Sequence, residues 1–389
     1  MFMGGKARLT RLSAVYLVLV ALAGCSTNAP IEQPDPVPEI EGTVEFDPIW
    51  NVTVGDGHDG EFLQLNPLFD GRNVIAASAD GVLISVDIES GKTNWERELE
   101  ERIFAGPGAD SDRLYIVNAN AELIALSDDA SEEHWRVELP TEVLAAPQSN
   151  GDLVVVQTID GRVIAFDAKS GEQRWQYEAQ VPVLTLRSSA PPLVGGDVVI
   201  ASFANGRLIA LSADKGQPLW QYEVGQPQGR TELERLVDIG GQPLVLDTAL
   251  LVVGYQGKLA LVDIRTGQEI WSQPASSYYS PAIGGGNIYL ASANGNVIAL
   301  RGSDRTELWV QDKLSWRQLT RPAVSGDYLV VGDFEGYLHV LSAEDGALVG
   351  QLEYDDEGIR VPVQVLRDGN LLVYGNSGEL TLYRLEPNE

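Results

Sequence analysis

From Pro67 onward, short apolar runs recur along the chain, each closed by a polar turn. Val198-Val199-Ile200 and Leu329-Val330-Val331 are β-rich runs of the kind that form buried strands. A turn pair follows each run: Asp80-Gly81, Asp160-Gly161, Asn205-Gly206 or Asn294-Gly295. These pairs tolerate positive φ and are expected to close two-residue hairpins. A third apolar run comes next, such as Leu208-Ile209-Ala210-Leu211, and then a second turn. That turn carries Gly91, Gly171, Gly216, Gly267 or Gly346. Ser131 and Arg305 replace the glycine in two copies, whose turns are expected to differ. A tryptophan opens the fourth run. No stretch shows the 3.6-residue period of a long helix.

The unit repeats at a fixed spacing. Copies start at Pro67, Pro107, Pro147, Pro192, Pro243, Pro281 and Pro322. Fourteen residues on stand Gly81, Ala121, Gly161, Gly206, Gly257, Gly295 and Gly336. Fourteen further stand Trp95, Trp135, Trp175, Trp220, Trp271 and Trp309, with Gly350 where the seventh tryptophan belongs. An eighth copy starts at Pro362, reaches its glycine, Gly378, two residues late, and ends with the chain. A period near 40 residues marks a propeller or solenoid. Four antiparallel strands per copy make a blade. The eighth copy has no room for a fourth strand. Val44 to Val54, with Trp50, precedes the first copy and lies 45 residues before Trp95 by its tryptophan. The expected fold is therefore all-β: an eight-bladed β-propeller of four-stranded antiparallel blades over residues 43–385, closed by the N-terminal strand. Residues 386–389 are expected to be a C-terminal tail. The seven tryptophans, Trp50 included, share one repeat position and read as structural spacers between blades. Trp316 lies outside the pattern and is a candidate surface contact.

The start of the chain has a different character. Lys6, Arg8 and Arg11 precede an apolar run from Leu12 to Ala23, and Leu22-Ala23-Gly24-Cys25 follows. This is the layout of an export signal, with an apolar run too short for an ordinary membrane span. It resembles a bacterial lipobox, which implies cleavage of residues 1–24 and lipid addition at Cys25. A plain signal peptide or a membrane anchor with an incidental cysteine is the alternative. Ser26 follows the cysteine; by resemblance to other lipoproteins, a residue other than Asp there implies sorting to the outer membrane, facing the periplasm. Residues 25–42 hold Pro30, Pro34, Pro36 and Pro38 with four acids and read as a semi-extended tether. Its seventeen residues after the cysteine would reach at most ~60 Å.

Composition narrows the function. The net charge is −29, from 56 acidic and 27 basic residues. Removing residues 1–24 takes it to −32, because that segment holds three cations and no acid. So acidic a surface repels phosphate backbones and anionic head groups, which argues against nucleic acid and leaves the lipid anchor as the membrane contact. Cys25 is the only cysteine, so the chain cannot form an internal disulfide. His58, His134 and His339 sit in distant repeats without metal-ligand spacing. Asp110/Asp112, Asp128/Asp129 and Asp355/Asp356/Glu357 read as solvated turn charges. No G-x-S-x-G and no phosphate-binding loop occurs. No metal, cofactor or catalytic residue is expected, and the chain reads as a binding scaffold, not an enzyme.

Two connectors stand out by length. The gap from ring tryptophan to next proline is 17 positions from Trp175 to Pro192 and 23 from Trp220 to Pro243, against 10–13 in four others. They are adjacent and expected on one face, where long loops on a rigid frame carry binding residues. Leu184 and Leu186 would be apolar anchors beside Arg187; alternatively both leucines pack onto their own blade.

The repeats resemble the quinoprotein-like repeat, A-x-D/N-G-x-L-x-A-L-D-x-x-T/S-G-x-x-x-W, which quinoprotein dehydrogenases share. The lipobox, the eight short blades, Leu184-Thr185-Leu186-Arg187-Ser188-Ser189-Ala190-Pro191 and Arg230-Thr231-Glu232-Leu233-Glu234-Arg235-Leu236-Val237-Asp238 resemble the BamB family, lipoprotein subunits of the outer-membrane β-barrel assembly (BAM) machinery. The resemblance covers residues 9–385. It implies a scaffold that holds other BAM subunits and unfolded barrel substrates. It implies that Leu184, Leu186, Arg187, Arg235 and Asp238 bind the POTRA region of BamA. The chain departs from the family at Gly240, where a second acid is common, so the acidic half of that interface would be weaker or differently arranged. The rivals are a periplasmic quinoprotein (PQQ-type) oxidoreductase, whose family disulfide between adjacent cysteines cannot form here, and a glycan-binding lipoprotein.

Overall fold

The computed structural model describes Met1, residues 32–187 and residues 190–388. The chain divides into a unit of Met1–Pro34 and a compact unit of Asp35–Glu389, and the blades belong to the second. Cys25 and the export segment lie outside the described residues.

The second unit is built of eight four-stranded antiparallel sheets and, among the described residues, no helix. Together they form the ring of an eight-bladed β-propeller. Blades 1 to 7 run outward from inner strands at Leu68–Phe69, Ile103–Ala109, Gln148–Ser149, Leu193–Val194, Leu244–Leu246, Ala282–Gly284 and Ala323–Ser325. Blade 8 takes Gln364–Val365, Leu371–Tyr374 and Glu379–Pro387 from the end of the chain, and Val44–Thr53 as its outer strand. That strand pairs with Glu379–Pro387 from Val44↔Pro387 to Thr53↔Glu379, with a bulge at Ile49. The N-terminal strand thus closes the ring. Glu386 and Pro387, expected in a free tail, are part of this ladder.

Strand character follows position. The middle strands, such as Val198–Ser202 and Arg207–Ser212, are buried along nearly their whole length. Neighbouring blades cover both their faces, so they read as continuous apolar runs. Outer strands such as Thr93–Glu98 alternate exposed and half-buried residues, because only one face meets the next blade.

The hairpins between the second and third strands differ from expectation. In blade 1, Ser78 N donates to Val82 O (2.9 Å) and Gly81 N to Ser78 O (3.2 Å). The loop therefore has three residues, Ala79 to Gly81, and only the last, Gly81 at φ +106°, needs the left-handed region. A type I turn followed by one left-handed residue closes a hairpin as well as a two-residue loop does. Ala121 takes that position in blade 2 at φ +60°.

The ring tryptophans join the blades. The indole N–H groups of Trp50, Trp135, Trp175, Trp220 and Trp309 donate to carbonyls of the next blade: Ile88, Ala168, Ala213, Ile264 and Ala343 (2.7–3.1 Å). Each indole lies on the glycine of that blade's second turn. A Cβ on Gly216 would lie 2.4 Å from Trp175, closer than any real side chain sits. Where the glycine is replaced, the two cases part. Arg305 keeps the glycine geometry, at φ +63° with its N–H bonded to Arg301 O, and its guanidinium covers Trp271 at 5.3 Å. In the Ser131 copy the left-handed residue is Ala130, and the turn is one residue tighter.

Gly350 has a tertiary cause. A Cβ there would lie 2.6 Å from Val44 O. Thr43 N donates to Val349 O (2.7 Å), and Asn388 holds Gly42 and Thr43. The N-terminal segment occupies the place of the seventh indole, and Val44 is buried with Val340, Tyr354 and Tyr383. The same segment is fixed again at Asp35. Its N–H donates to Ser315 O (3.0 Å), and its carbonyl accepts from Arg317 (2.8 Å). Residues 35–42, read from sequence as tether, are therefore held at both ends by blade 7.

Two of the acids read as solvated are structural. Asp110 accepts from the Tyr115 hydroxyl (2.6 Å) and from Ser149 (3.1 Å). Asp355 is buried and accepts from Ser377 N and Oγ. Of the histidines, His58 and His339 are buried and His134 is exposed.

Candidate partner-binding surface

Each chain segment leaving an outer strand bonds first to the middle hairpin of its own blade: Leu99 N to Gly81 O, Ala179 N to Gly161 O, Val224 N to Gly206 O. Hairpins and inter-blade connectors therefore share one face of the ring. The two long connectors lie there on either side of blade 4, residues 179–192 entering it and residues 224–243 leaving it.

The first connector is short of internal packing. Val183 is fully exposed and Leu184 is 41% exposed, while Leu186 is half-buried. Leu184 thus presents more surface to solvent than Leu186 does. Arg187 sits at φ +54°, a rare conformation for a long side chain, with its N–H bonded to Thr185 Oγ1 (3.2 Å). Its guanidinium pairs with Glu142 of the preceding connector at 2.8 Å. Thr185, Arg187 and Val181 line a shallow cleft between blades 3 and 4, with Gln157 and Ser202 at its floor. Gln157 Oε1 and Ser202 Oγ are buried there without a partner among the described residues. The cleft thus offers acceptors to an incoming donor.

The second connector carries one helical turn. Thr231 Oγ1 accepts from Glu234 N (3.2 Å), and Glu234 Oε2 accepts from Arg230 N (2.6 Å) and Thr231 N (3.3 Å). This reciprocal bonding satisfies the donors at the start of the turn. The bonds from the Arg230 and Thr231 N–H groups hold the Glu234 carboxyl below its usual value. The turn exposes Leu233 and Arg235, while Leu236, Val237 and Ile239 are buried beneath it. Asp238 is not on the surface. It is 2% exposed, its carboxylate accepts from Ile239 N (2.8 Å), and its carbonyl accepts from Tyr255 N (2.7 Å). At this exposure Asp238 offers little surface for the direct contact expected of it, and Val237 and Ile239 on either side are buried with it.

The match of these two connectors to one family extends over the chain. The profile described as "Outer membrane protein assembly factor BamB" matches residues 79–311. The protein of that name from Marinobacter adhaerens is 72% identical over 372 residues, covering 96% of this chain and 95% of its own. Its counterpart from Pseudomonas aeruginosa is 45% identical, covering 96% and 98%. The chain belongs to the BamB family. A crystal structure of BamB from Moraxella catarrhalis superposes with a TM-score of 0.76 at 28% identity, covering 87% of this chain and all of that one. Quinohemoprotein alcohol dehydrogenase from Comamonas testosteroni has a TM-score of 0.66 at 12% identity, which shows a shared fold alone. BamB-family proteins are assembly factors, and this chain is accordingly a non-enzymatic member of a fold that also hosts dehydrogenases. Among the described residues no group of three or more His, Cys, Asp or Glu could hold a metal ion.

Sequence reasoning did not single out Val183, Leu233 or Glu142. Leu233 lies inside the second of the two stretches similar to the BamB family, while Val183 lies just before the first, beside Pro182 and Leu184, where no polar neighbours set it apart. Glu142 had no signal, because it lies in another connector.

Proposed function

We propose that this protein is a lipid-anchored scaffold of the outer-membrane β-barrel assembly complex, and that the connectors on either side of blade 4 bind the POTRA region of BamA. The observation that carries this reading is that the two long connectors flanking blade 4 expose Val183, Leu184 and Leu233 along with Arg187 and Arg235. Apolar anchors beside arginine are typical of interface centres. Leu184, Leu186, Arg187 and Arg235 make the contact. Asp238, buried at the end of the second connector, supports the contact from beneath. Anchoring is through Cys25, with the protein on the periplasmic face of the outer membrane.

The outer strands of blades 4 to 6 favour a second contact, with unfolded barrel substrates. Leu219, Ile270 and Leu308, each just before a ring tryptophan, are exposed on open sheet edges where an extended chain can add a strand.

The test is co-purification from membranes. Wild-type protein should bring BamA with it, and Leu184→Ala/Arg187→Ala should lose it while keeping an unchanged circular dichroism spectrum. A wild-type eluate without BamA would sink the reading.

A further inference from the structure

Near the axis of the propeller lies a charge that no carboxylate among the described residues pairs with. The residues two before successive inner strands touch one another around the axis. Gln242 donates from Nε2 to Pro191 O (3.2 Å), and Ser280 Oγ donates to Gln242 O (2.6 Å). Arg321, two before Ala323, holds the next place in this ring. Its neighbour Thr320 is turned into blade 7, where its N–H donates to Gly332 O and its Oγ1 accepts from Gly332 N. Side chains alternate along extended backbone, so Arg321 points the other way, toward the channel. There its Nε is buried without a hydrogen-bond partner. Among the described residues no carboxylate is paired with it.

The surroundings are polar and desolvated. The next connector supplies Arg360, which spends one N–H on Glu61 O (2.9 Å). Across the mouth, Gln64 Nε2 donates to the Tyr279 hydroxyl at 3.3 Å. Gln64 comes from the connector into blade 1 and Tyr279 from the connector into blade 6, so this bond bridges well-separated sides of the ring. Burial lowers the pKa of Arg321 with no neighbouring charge to oppose it. A guanidinium still stays charged, and the half-buried Arg321 keeps its Nε without a partner among the described residues. The chain has 56 acids, and none of those in the described residues is placed to neutralise it.

We propose that the channel mouth on the connector face is a binding site for a small oxyanion, a carboxylate or phosphate group, held by Arg321. The guanidinium fork matches two oxygens of such a group, and the ligand supplies the counter-charge the fold omits. The site is separate from the connectors around blade 4, so it stands or falls independently of BamA binding.

The test uses thermal melts of the mature chain at constant ionic strength, with chloride exchanged for inorganic phosphate or for acetate. The melting temperature of the wild type should rise saturably with at least one of them. The responding anion identifies the chemistry. In Arg321→Met the rise should vanish, and the unliganded variant should melt no lower than the wild type, because an unpaired, half-buried charge has been removed. No saturable rise, an equal rise in Arg321→Met, or a lower unliganded melting temperature in that variant would each overturn the inference.

Discussion

Arg187 and Arg317 make the same bond in different places, and the difference separates the binding side of the molecule from its closure side. Arg187 pairs with Glu142 at 2.8 Å, and Arg317 pairs with Asp333 at 2.7 Å. Both lie in inter-blade connectors, and both follow unusual backbone: Arg187 is itself at positive φ, and Arg317 succeeds Trp316 at φ +61°. The side chains of the first pair are 59% and 38% exposed, and those of the second 1% and 0%. Water screens the first pair, which contributes little to stability and leaves Arg187 free to exchange partners. Burial makes the second pair indispensable once formed. Arg317 also bonds Glu335, stacks near Phe334 and holds the Asp35 carbonyl, while Asp333 accepts from His339. Desolvation works against the Asp333 carboxylate, but the bonds from His339 and Arg317 outweigh it and hold its pKa below the usual value. Similar bond lengths therefore say little about energy, and burial decides whether a connector binds outward or locks inward.

The largest test of this contrast is Arg317→Ala. It leaves Asp333 charged and buried, so unfolding in denaturant should show a loss of about 3–5 kcal/mol. Hydrogen exchange should also quicken at residues 35–43, whose anchor is gone. A loss near zero would mean that the pair is no more than the surface pair of Arg187.

Next in size is the pH response of the closure. His58 bonds Asn376 through Nδ1 (2.9 Å) and through its backbone N–H (2.8 Å), tying the N-terminal strand's exit to the last hairpin of blade 8. Burial, reinforced by Arg360, lowers its pKa to about 4 against the Asn376 bond. Between about 4 and 6.5 the unfolded chain binds a proton that the folded one refuses. Stability is therefore flat above that window and falls by about 3 kcal/mol as pH drops through it. Melts at pH 7 and pH 4 should show this fall, and His58→Gln should reduce it. An equal fall in the variant would place the acid sensitivity elsewhere.

The smallest effect on stability is expected at Arg187→Ala, within about 0.5 kcal/mol of wild type by denaturant melts, because the lost pair is exposed. A loss of several kcal/mol would show Arg187 to be a structural residue and erase the distinction.

The sequence was legible where structure is local and repeated. Blade number, strand order and the ring of tryptophans follow from period, turn residues and apolar runs, and ring closure from the missing fourth strand after Gly378. It was less legible where distant segments meet. Asp238 reads as a surface acid until Ile239 and Tyr255 are seen to draw it inward. Gly350 reads as a lapse in the pattern until Val44 is found beside it.

The sequence by itself determined the eight-bladed ring, because each blade's pattern of buried and half-buried strands is written within some forty consecutive residues. The tertiary structure alone decided which charges face water and which are locked away. Arg187, Arg317 and Arg321 are alike as letters in a connector. What each one does depends on what the closed ring brings to it: an exposed carboxylate from another connector for Arg187, a buried carboxylate and the Asp35 carbonyl for Arg317, and no carboxylate among the described residues for Arg321.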